Sequence, residues 1–208
     1  MTLPLVDDPF AVTVLSSELV FRGEVWDIRR DTVEYGDGSI TREYVDHTGA
    51  VAIVALDDLG QVLLIKQYRQ PLGLRDWEIP AGLLDFVAEP PLEAAKRELA
   101  EEADLVASTW NVLSDFATAP GGSNEFVRIY LARGLTATAT AYDRTDEEAH
   151  LVKRWVSLDD AVDAVLSRGV VNSILSIGVL AAQASRARQW STLGAADLPW
   201  RGRLGAGS

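Results

Sequence analysis

A mixed α+β fold is predicted by three observations along the 208-residue chain. Residues 21–45 alternate apolar and polar side chains, with β-branched and aromatic content, around Gly36-Asp37-Gly38, a hairpin signature. Val51-Ala52-Ile53-Val54-Ala55-Leu56 is an unbroken apolar run, as expected of a strand covered on both faces. After Pro90 and Pro91, residues Leu92, Ala95, Leu99 and Ala103 recur at helical spacing and form one apolar stripe. A helix set among mixed strands belongs to the α+β class.

Taken in order, the chain starts with strands at 21–34 and 40–45, and Gly49-Ala50 leads into the central strand at 51–56. Asp57-Asp58-Leu59-Gly60 turns the chain, and 61–67 returns. The two prolines suit the first turn of a helix, because the N–H that Pro lacks would be unpaired there anyway. Strands at 109–116 and 126–132 flank the loop Ala119-Pro120-Gly121-Gly122-Ser123. Ser157-Leu158-Asp159-Asp160 resembles a capping box for a short helix ending at Gly169, and a further helix starts at Asn172 or Ser173 and runs to about Ala187. The Gly-, Pro- and Arg-containing segment from Gln189 reads as a loose tail. The division expected is a β-rich region at 1–48, a main domain at 49–187 and the tail at 188–208.

Composition narrows the function classes. A formal net charge of −12 is the wrong sign for a general nucleic-acid binder. It is compatible with a small polyanionic substrate, because bound divalent cations invert the local field. With no cysteine there is neither a disulfide framework nor a thiolate metal site, which fits a reducing cytoplasm. No signal-peptide pattern opens the chain and no apolar run reaches membrane-span length, so no membrane partner is expected.

The chemistry concentrates in residues 77–105. Glu98, Glu101 and Glu102 stand at i, i+3 and i+4, on one side of the predicted helix. Carboxylates that close repel one another unless a cation lies between them, which points to a site for a hard metal ion. From spacing alone, Arg97 reads as a plain i,i+4 partner of Glu93.

Gly82, Glu89 and Arg97-Glu98-Leu99-Ala100-Glu101-Glu102 resemble the box of the Nudix hydrolases, G-x5-E-x7-R-E-U-x-E-E-x-G-U, where U is bulky and aliphatic. Six residues separate Gly82 from Glu89 where the pattern has five, and Asp104 replaces the final Gly. Asp is among the few residues that tolerate the left-handed conformation common just past a helix end. Pro120, fifteen positions beyond Leu105, resembles the marker of the ADP-ribose pyrophosphatase branch. The segments 42–47, 67–69 and 77–82 extend that similarity to residues 20–185.

The resemblance implies a Nudix α/β/α sandwich with a mixed sheet. It also implies cleavage of ADP-ribose to AMP and ribose 5-phosphate with Mg²⁺, or Mn²⁺, as cofactor. Metal ligands would come from Glu98, Glu101, Glu102 and the carbonyl of Ala81, with Arg97 orienting the acids. A catalytic carboxylate is expected in the loop 145–150, at Glu147 or else Glu148, in preference to His150. Arg42 and Arg69 are candidates for phosphate or ribose, Trp26 and Trp77 for stacking, while His47 reads as a strand-end residue or a support of the site. The branch also implies a homodimer that exchanges N-terminal strands. Two alternatives stay open: a Nudix hydrolase of other nucleoside diphosphate sugars or oxidised nucleotides, and a non-catalytic nucleotide-sensing domain.

Overall fold

The computed structural model describes residues 5–86, 88–142 and 151–200, which fall into two compact units. The first comprises the chain up to His47 together with Ala119–Asn124. Its strands β1 (Val14–Arg22), β2 (Asp27–Tyr35) and β3 (Gly38–Asp46) form an antiparallel sheet in that order. The hairpin between β2 and β3 is where the sequence places it, with Gly36 at φ 58° in the turn. The continuous strand expected at 21–34 is instead broken. The chain reverses between residues 22 and 27, and residues 14–22 form a separate strand; a Cβ on Gly23 would lie 2.2 Å from the Trp26 carbonyl oxygen, so this turn suits Gly. Gly122 accepts a hydrogen bond from Val45 N, and Asn124 N donates to Val45 O, joining the loop 119–124 to β3.

In the second unit, β4 (Ala50–Ala55) is an interior strand of a five-stranded sheet, not its middle one. The order is β11 (Gly194–Ala195), β8 (Leu105–Ala117), β9 (Phe126–Ala137), β4 and β7 (Ala81–Leu83), with β4 and β9 parallel. An antiparallel sheet of β10 (Val152–Ser157), β5 (Gln61–Arg69) and β6 (Leu74–Glu78) accompanies it. The apolar run in β4 is explained by its two faces. Ala50, Ala52 and Val54 pack into a core with Leu158, Leu175 and Val179, whereas Val51, Ile53 and Ala55 pack with Ala95, Leu99 and Ala103. Those partners lie on α2 (Leu158–Leu166) and α3 (Ser173–Arg186) in the first case and α1 (Pro91–Ala103) in the second. Period-two alternation thus feeds two helical layers, the α/β/α arrangement expected.

Helix ends follow local chemistry. Ser157 accepts from Asp160 N and Asn172 from Leu175 N, capping α2 and α3. No helix among the described residues is long and apolar enough to cross a membrane.

Residues 189–200, expected as a loose tail, fold back on the sheet through β11 and through Arg128. Arg128 is 2% exposed. It donates to both carboxylate oxygens of Asp115 at 2.8 Å and to the carbonyls of Leu198 and Pro199. Burial draws its pKa down, but the hydrogen bonds and charge of Asp115 more than offset this and the net shift is upward. Arg128→Met should lower stability by about 3 kcal/mol, because it strands a carboxylate and two carbonyls. The midpoint of denaturant unfolding measures this, and an unchanged midpoint would contradict the clamp.

Candidate active site

The acidic helix and β7 build the site together. Helix α1 starts at Pro91, as the two prolines predict, and buries Ala94, Ala95, Leu99, Ala100 and Ala103. This packing fixes the azimuth of the helix and turns its acids toward the strand. Asp104 caps the end with φ 59° and ψ 37°, and its N–H bonds back to Ala100 O and Leu99 O. The left-handed conformation reserved for Gly in the box pattern is adopted here by Asp.

Glu102, 4% exposed, accepts from Ala81 N at 2.9 Å. Glu98 lies against the next residue of the strand, because a Cβ on Gly82 would sit 2.0 Å from its Cδ and 2.1 Å from Oε1. The strand backbone can approach the carboxylate only without a side chain at position 82.

Arg97 gathers the remaining charge. It donates from Nε and Nη2 to the two oxygens of Glu89 at 3.1 and 3.0 Å. Its Nη1 donates to Glu98 Oε1 and, at 3.0 Å, to Glu101 Oε2. The Phe86 ring lies 4.8 Å from its Cζ. Hydrogen bonds to Glu89, with further help from Glu98 and Glu101, raise its pKa above the ordinary guanidinium value despite partial burial. Arg97 therefore bonds to three acids, Glu89, Glu98 and Glu101. The alternative partner, Glu93, pairs with Lys96 at 2.9 Å. The extra residue before Glu89 is absorbed by a turn in which Glu89 N donates to Phe86 O and Ala88 takes φ 67°.

The donor set would fit a hard divalent cation: every candidate side-chain donor is a carboxylate, and Gly82 leaves the space that Glu98 fills. As arranged, Arg97 supplies the positive charge between Glu98 and Glu101. Among the described residues, no three His, Cys, Asp or Glu side chains already converge as a metal cage.

The other expected residues are placed as follows. Arg69 donates to both oxygens of Glu78 at 2.6 and 2.7 Å, and Gln67 donates to Glu78 as well. Trp77 packs against the core with Lys66 Nζ 5.1 Å from its ring centre. In the first unit, Trp26 stacks on His47 with centroids 4.0 Å apart, so both serve one aromatic pair. Arg42 is exposed and donates to Thr41 O, and Pro120 follows Ala119 in a tight turn closed by Gly122 N and Ser123 N. Glu147, Glu148 and His150 lie outside the described residues. Sequence reasoning missed Glu78, the buried partner of Arg69, although a carboxylate between Trp77 and Ile79 was a visible signal.

Residues 46–172 match the NUDIX domain. The chain is 49% identical over 171 residues to an ADP-ribose pyrophosphatase of Mycobacterium tuberculosis (strain ATCC 25618 / H37Rv), covering 82% of each. It is 35% identical to an ADP-ribose pyrophosphatase of Bacillus subtilis (strain 168), over 84% of this chain and 94% of that one. A crystal structure of an ADP compounds hydrolase superposes with a TM-score of 0.74 over 88% of this chain and 98% of that chain. At 22% identity this last likeness concerns the fold.

Proposed function

Since the chain belongs to the NUDIX family, we propose that it hydrolyses the pyrophosphate of ADP-ribose, giving AMP and ribose 5-phosphate. The observation that carries this reading is the complete Arg97-Glu98-Glu101-Glu102 constellation against Gly82 in a chain 49% identical to an ADP-ribose pyrophosphatase. That constellation disfavours a silent sensing domain, which has no use for clustered acids.

The family uses divalent cations, and Mg²⁺, with Mn²⁺ as a substitute, is the ion proposed here. Glu98, Glu101, Glu102 and the carbonyl oxygen of Ala81 are its proposed ligands. When bound, such an ion neutralises the diphosphate and acts as a Lewis acid at phosphorus. Arg97 holds the glutamates in register through Glu89. Arg69, fixed by Glu78, offers a preset guanidinium for a phosphate or ribose oxygen. Arg42, Trp26, Trp77 and Pro120 complete the proposed substrate contacts. Glu147, or else Glu148, takes the proton from the attacking water.

A homodimer with exchanged N-terminal strands is proposed as well, in a cytoplasmic setting that the lack of cysteine suits. Val14, Leu15, Val20, Phe21 and Val25 all expose apolar surface in and just after β1, as an unfilled interface does. Light scattering should give twice the monomer mass, and a monomer at micromolar concentration would remove this part of the proposal.

Activity is tested by a panel of nucleoside diphosphate sugars and oxidised nucleotides with Mg²⁺ in isotopically labelled water. ADP-ribose should be hydrolysed with the highest kcat/KM, leaving label in one of its two products. Faster turnover of another nucleotide would overturn the substrate assignment.

A further inference from the structure

We propose that Asp104 is a positioning residue, which ties both ends of the segment between β9 and β10 to the C-terminus of the acidic helix α1. This rests on the reading above, in which that segment supplies the general base. The family pattern has Gly at this place, and Gly alone would satisfy the left-handed conformation without the steric penalty an L side chain incurs. The side chain that Asp adds is fully engaged. Its Oδ1 accepts from Tyr142 N at 2.8 Å, and its Oδ2 accepts from Lys153 Nζ at 2.7 Å. The backbone carbonyl of Asp104 accepts from Thr138 N at 3.0 Å, and Lys153 Nζ also reaches Ala103 O at 3.4 Å.

The topology gives these bonds their meaning. Thr138 follows the last residue of β9, Tyr142 lies four residues further on, and Lys153 is the second residue of β10. One carboxylate therefore holds the departing and the returning chain at a single point. That point is the cap of α1, two residues beyond Glu102 and six beyond Glu98. The described ends of the connection are thereby registered to the acids of α1, whatever path residues 143–150 follow. The two bonds differ in kind. Asn at 104 keeps an acceptor for Tyr142 N and tolerates the left-handed backbone, but loses the charge that Lys153 meets.

The test compares Asp104→Gly, Asp104→Asn and Lys153→Met with the parent protein in three measurements. Hydrogen exchange at the Tyr142 amide, without substrate, reads the clamp alone. Calorimetric Mg²⁺ binding reads whether the acids of α1 are disturbed. Steady-state kinetics separates kcat from KM. Asp104→Gly should accelerate Tyr142 exchange and lower kcat about tenfold, less than the roughly 10²-fold that a 1 Å misplacement can produce. Its KM and Mg²⁺ affinity should stay within about twofold of the parent, since a loss of positioning acts on kcat. Asp104→Asn and Lys153→Met should fall in between. If Asp104→Gly speeds exchange but leaves kcat unchanged, the positioning role is wrong, and unchanged exchange removes the clamp itself. Absence of ADP-ribose turnover in the parent protein would overturn the functional reading instead, and the exchange data would still decide the clamp.

Discussion

Glu98→Gln is expected to lower the rate of ADP-ribose hydrolysis by about 10³-fold, equivalent to about 4 kcal/mol of lost transition-state stabilisation, with the fold intact. Gln has nearly the same shape as Glu and fits the same space over Gly82, so packing barely changes. What disappears is a negative oxygen from a hard ligand set, and a neutral amide is a much weaker partner for a divalent cation. Arg97 keeps both bonds to Glu89 and the one to Glu101, so the hub that organises the helix survives the substitution. The expected pattern is a collapsed kcat at saturating Mg²⁺ beside an unfolding midpoint within a few degrees of the parent. Full activity in the variant would show that the ligand is misassigned.

Gly82→Ala is the second large effect, and it should separate activity from stability in the same way by a different route. The added Cβ would overlap the Glu98 carboxylate, with Cγ also only 2.4 Å away. The three nearest atoms all belong to the flexible Glu98 side chain, so the strand need not move. Glu98 rotates away instead. The pairing of Gly82 with Val51 in β7 and β4 should persist, and the stability loss should stay near 1 kcal/mol. The rate should fall about 10²-fold, because a displaced ligand is a misplaced one. If thermal unfolding instead shows a loss comparable to that of a core deletion, the strand has shifted and the close-approach argument is wrong.

The parts of this molecule legible from its sequence are those governed by short-range rules. Helix α1 declared itself through Pro90-Pro91, its apolar stripe and the left-handed end at Asp104, all within fifteen residues. The two-faced burial of β4 was readable because six consecutive apolar residues leave no polar face for solvent. Caps at Ser157 and Asn172 follow from side chains three residues away from the N–H they accept. What was not legible depends on partners distant in sequence. The ordering of residues 189–200 is decided by Arg128, seventy residues upstream of the carbonyl it binds. That the role of Arg69 would be fixed by Glu78 required knowing that β5 and β6 are neighbours. The break at residues 23–26 was not legible because alternation of apolar residues does not register a turn whose close approach to the Trp26 carbonyl admits only Gly. Within the site, the pairing of Arg97 with Glu98 and Glu101 was anticipated from the sequence, but the bond from Ala81 N to Glu102 was not, because it joins residues twenty-one positions apart.

The account stands on α1 and β7 forming a seat for a divalent cation, and a crystal soaked with Mn²⁺ tests this most directly through its anomalous scattering. The expected result is a peak within coordination distance of the carboxylates of Glu98 and Glu102, with Arg97 Nη1 turned away from Glu98. Peaks only at other acidic residues, with Arg97 still bound to Glu98 and Glu101 as it is now, would contradict it.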